Sequence, residues 1–413
     1  MDSESSNESE RSSYDESSDE DDYNSDLEED FTNSFEKFST TSRNWRKGNF
    51  NPRLFNFDSR SCGLSSKIKN LTLETPLDFF ELFFDRRLLE IIVKETNRFH
   101  ANFSRTSYSH TIPWVDTTIN EMYTFLATVM LMPHSKKNCI CDYWSTNHLI
   151  STPIFAELFT RDRFRALLTN LHFNDNQNEI VEDSLYKVRP IIDELKRKFF
   201  CCLNPYKNLC IDETLTLWKG RLQFKQYVPS KRHKFGIKIF ALCNCKTGFI
   251  MDFIVFTGSN TTLNYHVDLG VTGSIVITLL ERLLNKGHSL FVDNYYSSPI
   301  LFEYLHQYKT GAFGTVRSNR AGLPIFEEVE ESGTQVFYHT DNLLALRWND
   351  KKDVNMLSTI HEPVMVPTGK VQFETRQPKM KPLCVKEYNE NRGLVDKYDM
   401  QISFSEYIRR SAK

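Results

Sequence analysis

Hydrophobic positions recur at helical spacing between residues 75 and about 200. In TPLDFFELFFDRRLLEIIVKETNRFH the apolar side chains stand three or four residues apart, which is typical of a helix that buries one face. Thr75 is suited to cap the first turn, and Pro76 to occupy the first helical position. The segments TTINEMYTFLATVMLMP and FTRDRFRALLTNLHF repeat the pattern. We therefore predict a helical region whose phenylalanines form a core rather than a ligand site.

From about residue 207 the pattern changes to that of β-strands. Three strands are predicted first, with a hairpin turn at Lys246-Thr247-Gly248 between the second and third: NLCIDETLTLW, QYVPSKRHKFGIKIFALCN and GFIMDFIVFTG. A buried helix, VTGSIVITLLERLLNKGH, is expected to stop at Gly287. A strand, a helix and a strand follow: SLFVDNYY, SPILFEYLHQY and TGAFGTVRS. The order β-β-β-α-β-α-β predicts an α/β fold with a mixed sheet.

Two of the predicted strands end in an aspartate. Asp212 lies in LCIDETLT, and Asp293 lies in LFVDNYYSS. A right-handed crossover after a three-stranded meander places these strands side by side and parallel, so both carboxylates fall at the same edge of the sheet. Two carboxylates so close repel each other unless a cation lies between them. A metal site is one interpretation, and a turn or a helix cap is the more common role of a single strand-terminal aspartate.

Charge is distributed unevenly along the chain. The first 30 residues hold fourteen Asp and Glu and one Arg, and their net charge of −13, against −3 for the whole chain, leaves +10 for the other 383 residues. A basic body suggests a polyanionic partner, and the acidic tail either competes for that basic surface or serves solubility. Residues 1–60 are predicted to be disordered. The stretch RNWRKGNFNPRLF at 43–55 is interpreted as a linker, with a phosphate contact or a nuclear signal as alternatives.

Composition argues against several classes of protein. No run of about 18 apolar residues is present, so a membrane span is not expected. The N-terminus MDSESSNESE lacks the basic and apolar regions of a signal peptide. The nine cysteines include Cys-x-Cys pairs at 139/141 and 243/245 but no Cys-x-x-Cys repeat, so a zinc knuckle is not supported. We expect an intracellular protein with mostly buried thiols.

Three blocks of the sequence resemble those of piggyBac-family transposases and of host proteins derived from them. They are DETLTLWKGRLQFKQYVPSKRHKFGIKIFALCNCKTGFI, then FVDNYYSSPILFEYL followed by GTVRSNRAGLP, and finally NENRGLVDKYDMQISFSEYIRR. The third block follows a Gly-Val-Asp-x-x-Asp pattern, with Leu394 between Gly393 and Val395. The resemblance runs from about residue 75 to the last residue, and the three blocks in this order make it specific.

The resemblance implies a ribonuclease-H-like catalytic core with an Asp-Asp-Asp triad. Asp212, Asp293 and Asp396 match the three aspartates, 81 and 103 residues apart, and Asp399 matches a further carboxylate that supports the metal site. Two Mg²⁺ ions, with Mn²⁺ as a substitute, would lie about 3.5–4 Å apart. Asp212 would bridge them, and Asp293 and Asp396 would each complete one side. Asp396 alone also fits the first turn of a helix, and Glu213 is left out because it points to the opposite side of the strand.

The implied function is hydrolysis and strand transfer of double-stranded DNA at TTAA sites, by a homodimer that acts in the nucleus. Neither a membrane nor a small-molecule substrate is expected. The alternative is a domesticated or truncated derivative that binds DNA or chromatin without transposing. His233 and His288 fit a general base by residue type, but two-metal chemistry requires none, and a structural role is the more common one.

Two loops hold clustered cations that are candidate phosphate contacts. The first is VPSKRHK at 228–234, the second is RSNRAG at 317–322, and the candidates are Lys231, Arg232, Lys234, Arg317 and Arg320. Tyr295 and Tyr296 are candidates for stacking on exposed bases. Trp348 is expected to pack in the core instead. No base-reading motif is visible, so the sequence predicts no preference among DNA sequences.

The blocks and the composition together predict five segments. They are a disordered acidic tail and linker (1–60), a helical dimerisation and DNA-binding domain (61–206), the first part of the catalytic core (207–318), a β-rich insertion (319–388) and the second part of the core (389–413). The family usually continues after the third block with more helices and a cysteine-rich zinc-binding domain. This chain stops at Lys413, so the second part of the core is expected to be truncated.

Overall fold

The computed structural model describes residues 43–103, 113–218, 220–229, 234–327, 331–371 and 376–392. Its described residues from 63 to 204 form seven α-helices and a two-stranded ribbon: β1 (Gly63–Leu64), α1 (Ser66–Lys69), α2 (Pro76–Glu81), α3 (Arg86–Phe103), α4 (Ile119–Leu131), α5 (Pro153–Leu158), α6 (Arg161–Asn170), α7 (Arg189–Cys202) and β2 (Leu203–Asn204). They bury a common core that includes Leu89, Phe125, Phe155 and Phe164. The predicted helical region is confirmed. None of the helices in the described part of the chain is long and apolar enough to cross a bilayer.

The helix predicted from Thr75 onwards is two helices. Thr75 caps α2 and forms a capping box with Asp78, as expected for a helix start. α2 ends at Glu81, and α3 begins at Arg86. The carboxylate of Asp85 caps the start of α3 by accepting a hydrogen bond of 2.9 Å from the backbone N–H of Leu88. The prediction of one continuous helix was wrong. The apolar residues keep their helical spacing across the break, so the pattern does not reveal that Asp85 caps a second helix.

Residues 208–315 form the core of a mixed sheet. Its elements are β3 (Asn208–Leu217), β4 (Gln226–Tyr227), β5 (Phe235–Asn244), β6 (Ile250–Val255), α8 (Gly270–Leu280), β7 (Ser289–Val292), α9 (Pro299–Gln307) and β8 (Gly311–Thr315). The strand order is β6-β5-β3-β7-β8, antiparallel among the first three strands and parallel from β3 to β8. The predicted order β-β-β-α-β-α-β is confirmed. It differs in detail, because a short extra strand, β4, precedes β5 and because α8 ends at Leu280, ahead of Gly287.

Further strands extend this sheet beyond β8. They are β9 (Gln335–His339), β10 (Leu344–Asn349) and β11 (Asp353–Ser358), and β11 pairs with β8. A separate ribbon of β12 (Met365–Val371) and β13 (Pro378–Pro382) leads into α10 (Leu383–Arg392). Segment 319–388 is therefore rich in strands, and three of its strands continue the core sheet instead of forming a sheet of their own.

The sheet separates two hydrophobic cores, one on each face. Successive residues of a strand point alternately into one core and the other. Ile211 and Val292 belong to the core that contains residues of α8 and α9. Cys210 and Phe291 belong to the opposite core, which contains residues of α10. The last residues of β7 are thus fixed from both faces.

Residues 43–57, called here the strap, lie against the mixed sheet and its helices. Phe50 is 5% exposed and contacts His339, and Arg46 and His339 exchange two backbone hydrogen bonds of 2.9 Å at the edge of the sheet. Phe55 and Phe57 contact buried histidines in the same manner. The prediction of a disordered linker was wrong for this stretch, because Phe50 is buried and Trp45, Phe55 and Phe57 are half-buried against the rest of the fold. The acidic tail, residues 1–42, lies outside the described residues.

Candidate active site

Parallel pairing of β3 with β7 brings Asp212 and Asp293 next to each other, although Asp212 lies within β3 and does not end it as predicted. Ile211 pairs with Val292 in parallel register, and each aspartate is the next residue of its chain segment. β7 ends at this pair, whereas β3 continues to Leu217. The structure thus brings together two of the predicted site residues at one edge of the sheet. Their role as metal ligands stays a prediction.

Asp293 is in a setting that disfavours its charged form. Burial raises the pKa of its carboxyl to about 7, and the negative charge of Glu213 acts in the same direction. Hydrogen bonds from the backbone N–H groups of Tyr295 and Tyr296, and the charge of Arg317, act in the opposite direction. A cation beside Asp293 would therefore stabilise the carboxylate form.

Glu213 belongs to this site, although the alternation of side chains along a strand excludes it. Its carboxylate acts electrostatically on Asp293, and the ammonium of Lys238 lies 3.4 Å from its Oε2. Lys238 is 8% exposed and also lies over the ring of Tyr295, 5.0 Å from its centroid. Lys238 pairs with Leu215 and so lies on β5 diagonally across from Glu213. The sequence shows the lysine, and the strand register shows that it reaches Glu213.

Tyr296 is a buried tyrosine whose hydroxyl is affected by the acidic side chains of the site. The residue is 1% exposed, and its hydroxyl has no hydrogen-bond partner among the described residues. Burial raises its pKa well above the usual range, and the charges of Glu213, Asp293 and Asp212 add to the effect. The charges of three carboxylates therefore act on one buried hydroxyl. Tyr296 is a core residue and is not available for stacking on a base.

The residues present fit a hard divalent cation. Carboxylate oxygens are its preferred ligands, and Asp212 and Asp293 supply them from two adjacent parallel strands, near Tyr296, whose buried hydroxyl has no hydrogen-bond partner among the described residues. The other two predicted ligands, Asp396 and Asp399, lie outside the described residues. Accordingly, no group of three or more His, Cys, Asp and Glu side chains suited to a metal is found within the described ranges.

The predicted phosphate contacts fall into three groups. Lys231 and Arg232 lie outside the described residues, and Lys234 is exposed at the start of β5. Arg317 is exposed, and its Nε donates to Asn294 Oδ1 at 3.4 Å. Arg320 is half-buried, and its Nη2 donates to the backbone carbonyls that follow Asp293. Arg317 is thus free to reach solvent beside Asp293, whereas Arg320 is engaged with the protein itself.

Two other residues singled out in the sequence are structural. Trp348 is 2% exposed and packs in the core, as predicted. His288 is 3% exposed, and its Nδ1 lies 3.2 Å from the carbonyl oxygen of Tyr206. Burial lowers the pKa of His288, so its neutral form is favoured in this position. His233, the other candidate base, lies outside the described residues.

Fold and site define an α/β protein of the ribonuclease-H-like class, with neighbouring aspartates on two adjacent parallel strands. A family model described as Transposase IS4 matches residues 75–413, and the chain belongs to this transposase family, among its piggyBac-type members. The sequence resemblance to piggyBac-family transposases is thereby confirmed.

Relatives and a solved structure support the same assignment. The chain is 27% identical over 343 residues to the human protein PiggyBac transposable element-derived protein 3, and 27% identical over 347 residues to PiggyBac transposable element-derived protein 2. Each match covers 80% of this chain and 56% of the relative, so the chain spans about half the length of these relatives. The cryo-EM structure of a piggyBac transposase synaptic complex with hairpin DNA is similar, with a TM-score of 0.70, 27% identity and coverage of 85% of this chain and 72% of that chain.

Proposed function

We propose that the protein is a piggyBac-type DNA transposase that cuts and joins DNA strands with divalent metal ions. The observation that carries the proposal is the register of β3 and β7, which sets Asp212 and Asp293 one residue beyond the paired Ile211 and Val292. The similar solved structure is a synaptic complex of a piggyBac transposase with hairpin DNA. By extension, double-stranded DNA is the proposed substrate, TTAA the proposed target, the nucleus the proposed compartment and a homodimer the proposed assembly.

Each residue of the site has a distinct part in this proposal. Asp212, Asp293 and Asp396 would hold two Mg²⁺ ions, with Asp399 in support, and Mn²⁺ would substitute. Bound Mg²⁺ supplies charge neutralisation and Lewis-acid polarisation at the phosphodiester. Glu213 and Lys238 fix each other on the two central strands beside Asp293. This pairing compensates the charge of Glu213 next to the proposed metal ligands.

The cations at the rim would bind the DNA backbone. Arg317 stands in the open next to Asp293, where a phosphate bound at the metal site would come within reach of its guanidinium. Lys234 is exposed at the start of β5, and Lys231 and Arg232 complete the proposed set. Binding through such contacts weakens steeply with salt.

A second candidate function is DNA or chromatin binding without transposition. It is favoured by the relatives that the chain matches over 56% of their length, because these are named as derived from a transposable element. Both functions require DNA binding, so only strand cleavage separates them.

The test is a plasmid excision assay together with cleavage of labelled transposon ends. Asp212→Asn and Asp293→Asn keep the size of each side chain and remove its charge, and Asp341→Asn is the matched control because its side chain is 80% exposed. The first two variants are expected to lose metal-dependent cleavage and to retain DNA binding, whereas the control keeps both. Intact protein that binds DNA ends but never cuts them with Mg²⁺ or Mn²⁺ would favour the second function.

A further inference from the structure

The strap is fastened to the loop that follows β8. The indole N–H of Trp45 donates to the carbonyl of Gly322 at 3.0 Å. Arg43 forms two hydrogen bonds, of 2.8 and 2.7 Å, with the carboxylate of Glu303 in α9, and its side chain is 10% exposed. The fit at the loop is tight, because a Cβ on Gly322 would lie 2.3 Å from Nη1 of Arg43.

The same loop is fastened to the segment that holds Asp293. Nη2 of Arg320 donates to the carbonyl of Asn294 at 2.8 Å and to that of Tyr295 at 3.0 Å. The backbone N–H of Tyr295 in turn donates to Oδ1 of Asp293 at 3.0 Å, and that of Ser297 donates to the carbonyl of Asp293 at 3.2 Å. One guanidinium thus ties together the turn that orients the carboxylate.

This arrangement suits a guanidinium, because Nη2 of Arg320 carries two N–H groups in a fixed plane, one for each carbonyl. Arginine presents several N–H donors in a fixed plane, and charged hydrogen bonds to carbonyls are stronger than neutral ones. A lysine keeps the charge but cannot hold the same geometry. Arg320 is half-buried, whereas a residue that serves only as a phosphate contact is expected to extend into solvent, as Arg317 does.

We propose that Arg320 is a positioning residue for the carboxylate of Asp293, and that the strap keeps Arg320 in place through Trp45 and Arg43. The connected contacts run from Trp45 to Gly322, through the loop to Arg320, and from there to the turn after Asp293. The strap lies outside residues 75–413, the range that the family model matches, so it is a part of the site that the family match does not include. The metal-binding consequence rests on the proposed function, whereas the ordering of the turn does not.

The first experiment compares Arg320→Lys with Arg86→Lys in the full chain, because the side chain of Arg86 is 78% exposed and lies on α3, outside the site. Hydrogen exchange of the Tyr295 and Ser297 amides reports the turn, and Mn²⁺ affinity, measured without DNA, reports the site. Arg320→Lys is expected to speed exchange at these amides about tenfold, through loss of charged hydrogen bonds. It is also expected to weaken Mn²⁺ binding about tenfold or more, as loss of a group that orients a ligand does. Arg86→Lys leaves both unchanged.

The second experiment tests the strap with Trp45→Phe, which keeps an aromatic ring but lacks the N–H donor. Arg46→Ala is its matched control, because it removes an exposed ion pair with Asp341 while the backbone bridge to His339 remains. Trp45→Phe is expected to loosen the same two amides, Tyr295 and Ser297, while the control does not. A fall in melting temperature that accompanies faster exchange everywhere would identify a merely structural role and overturn the proposal.

The outcomes separate this proposal from the proposed function. If the wild-type chain binds no Mn²⁺ and Arg320→Lys still loosens the turn, the proposed function fails and the positioning role stands. If Arg320→Lys leaves exchange and Mn²⁺ affinity intact and weakens only DNA binding, Arg320 is a phosphate contact and the positioning role is overturned.

Discussion

Replacing Lys238 with methionine removes the ammonium that compensates the charge of Glu213. The two side chains are 10% and 19% exposed, and their charged atoms are 3.4 Å apart. Removal of one partner of a buried pair costs about 3–5 kcal/mol because the other charge stays buried. We expect about 3 kcal/mol here, the lower end, since Glu213 keeps some contact with solvent. The methionine retains the contact with the rings of Phe240 and Tyr295, so lost packing contributes little.

A double-mutant cycle measures this pair directly. Urea unfolding is followed for the wild type, Lys238→Met, Glu213→Leu and the double variant. The double variant is expected to be close to the wild type, because two apolar groups replace an ion pair at little net cost. The coupling energy is therefore expected to be at least about 3 kcal/mol in magnitude, the cost of the Lys238→Met change alone. Additive effects of the two single changes would refute the assignment of Lys238 as the partner of Glu213.

Three shorter predictions follow. Gly314→Ala should destabilise the sheet by about 3 kcal/mol in urea unfolding, because a Cβ there would lie 1.8 Å from the carbonyl oxygen of Val292; an unchanged midpoint would contradict the close approach of β7 and β8. The hydrogen bond with His361 lowers the pKa of Glu387 in the folded protein. The ionised Glu387 therefore contributes fully to stability above its unfolded-state pKa, and this contribution is lost as pH falls through the lower folded-state pKa. Glu387→Gln should flatten the dependence of stability on pH between about pH 5 and 3. Arg317→Ala should reduce the slope of log affinity against log salt for DNA by about one, and an unchanged slope would mean that it touches no phosphate.

The adjacency of Asp212 and Asp293 could be predicted because it depends on short-range pattern and chain topology. Strand periodicity located β3 and β7, and the crossover rule for parallel strands set them side by side. The residue types then indicated a cation, because two carboxylates at adjacent strand ends repel each other. This part of the site needs no knowledge of distant contacts.

The strap and the role of Arg320 could not be predicted, because their contacts join residues far apart in sequence. Arg43 and Glu303 are separated by 260 positions, and Trp45 and Gly322 by 277. A polar segment with a few aromatic residues is interpreted as a linker unless the surface that it packs against is known. The pairing of Glu213 with Lys238 was hidden for a related reason, since it runs diagonally between two strands whose register the pattern does not specify.

The central claim is that Asp212, Asp293 and Asp396 hold divalent metal together, and Mn²⁺ binding to single variants tests it most directly. Electron paramagnetic resonance counts the bound Mn²⁺ ions and gives their affinity in the wild type, in the three Asp→Asn variants and in Asp341→Asn. We predict that each of the three variants loses bound Mn²⁺ while Asp341→Asn matches the wild type. Full Mn²⁺ binding by any two of the three variants would contradict a shared metal site.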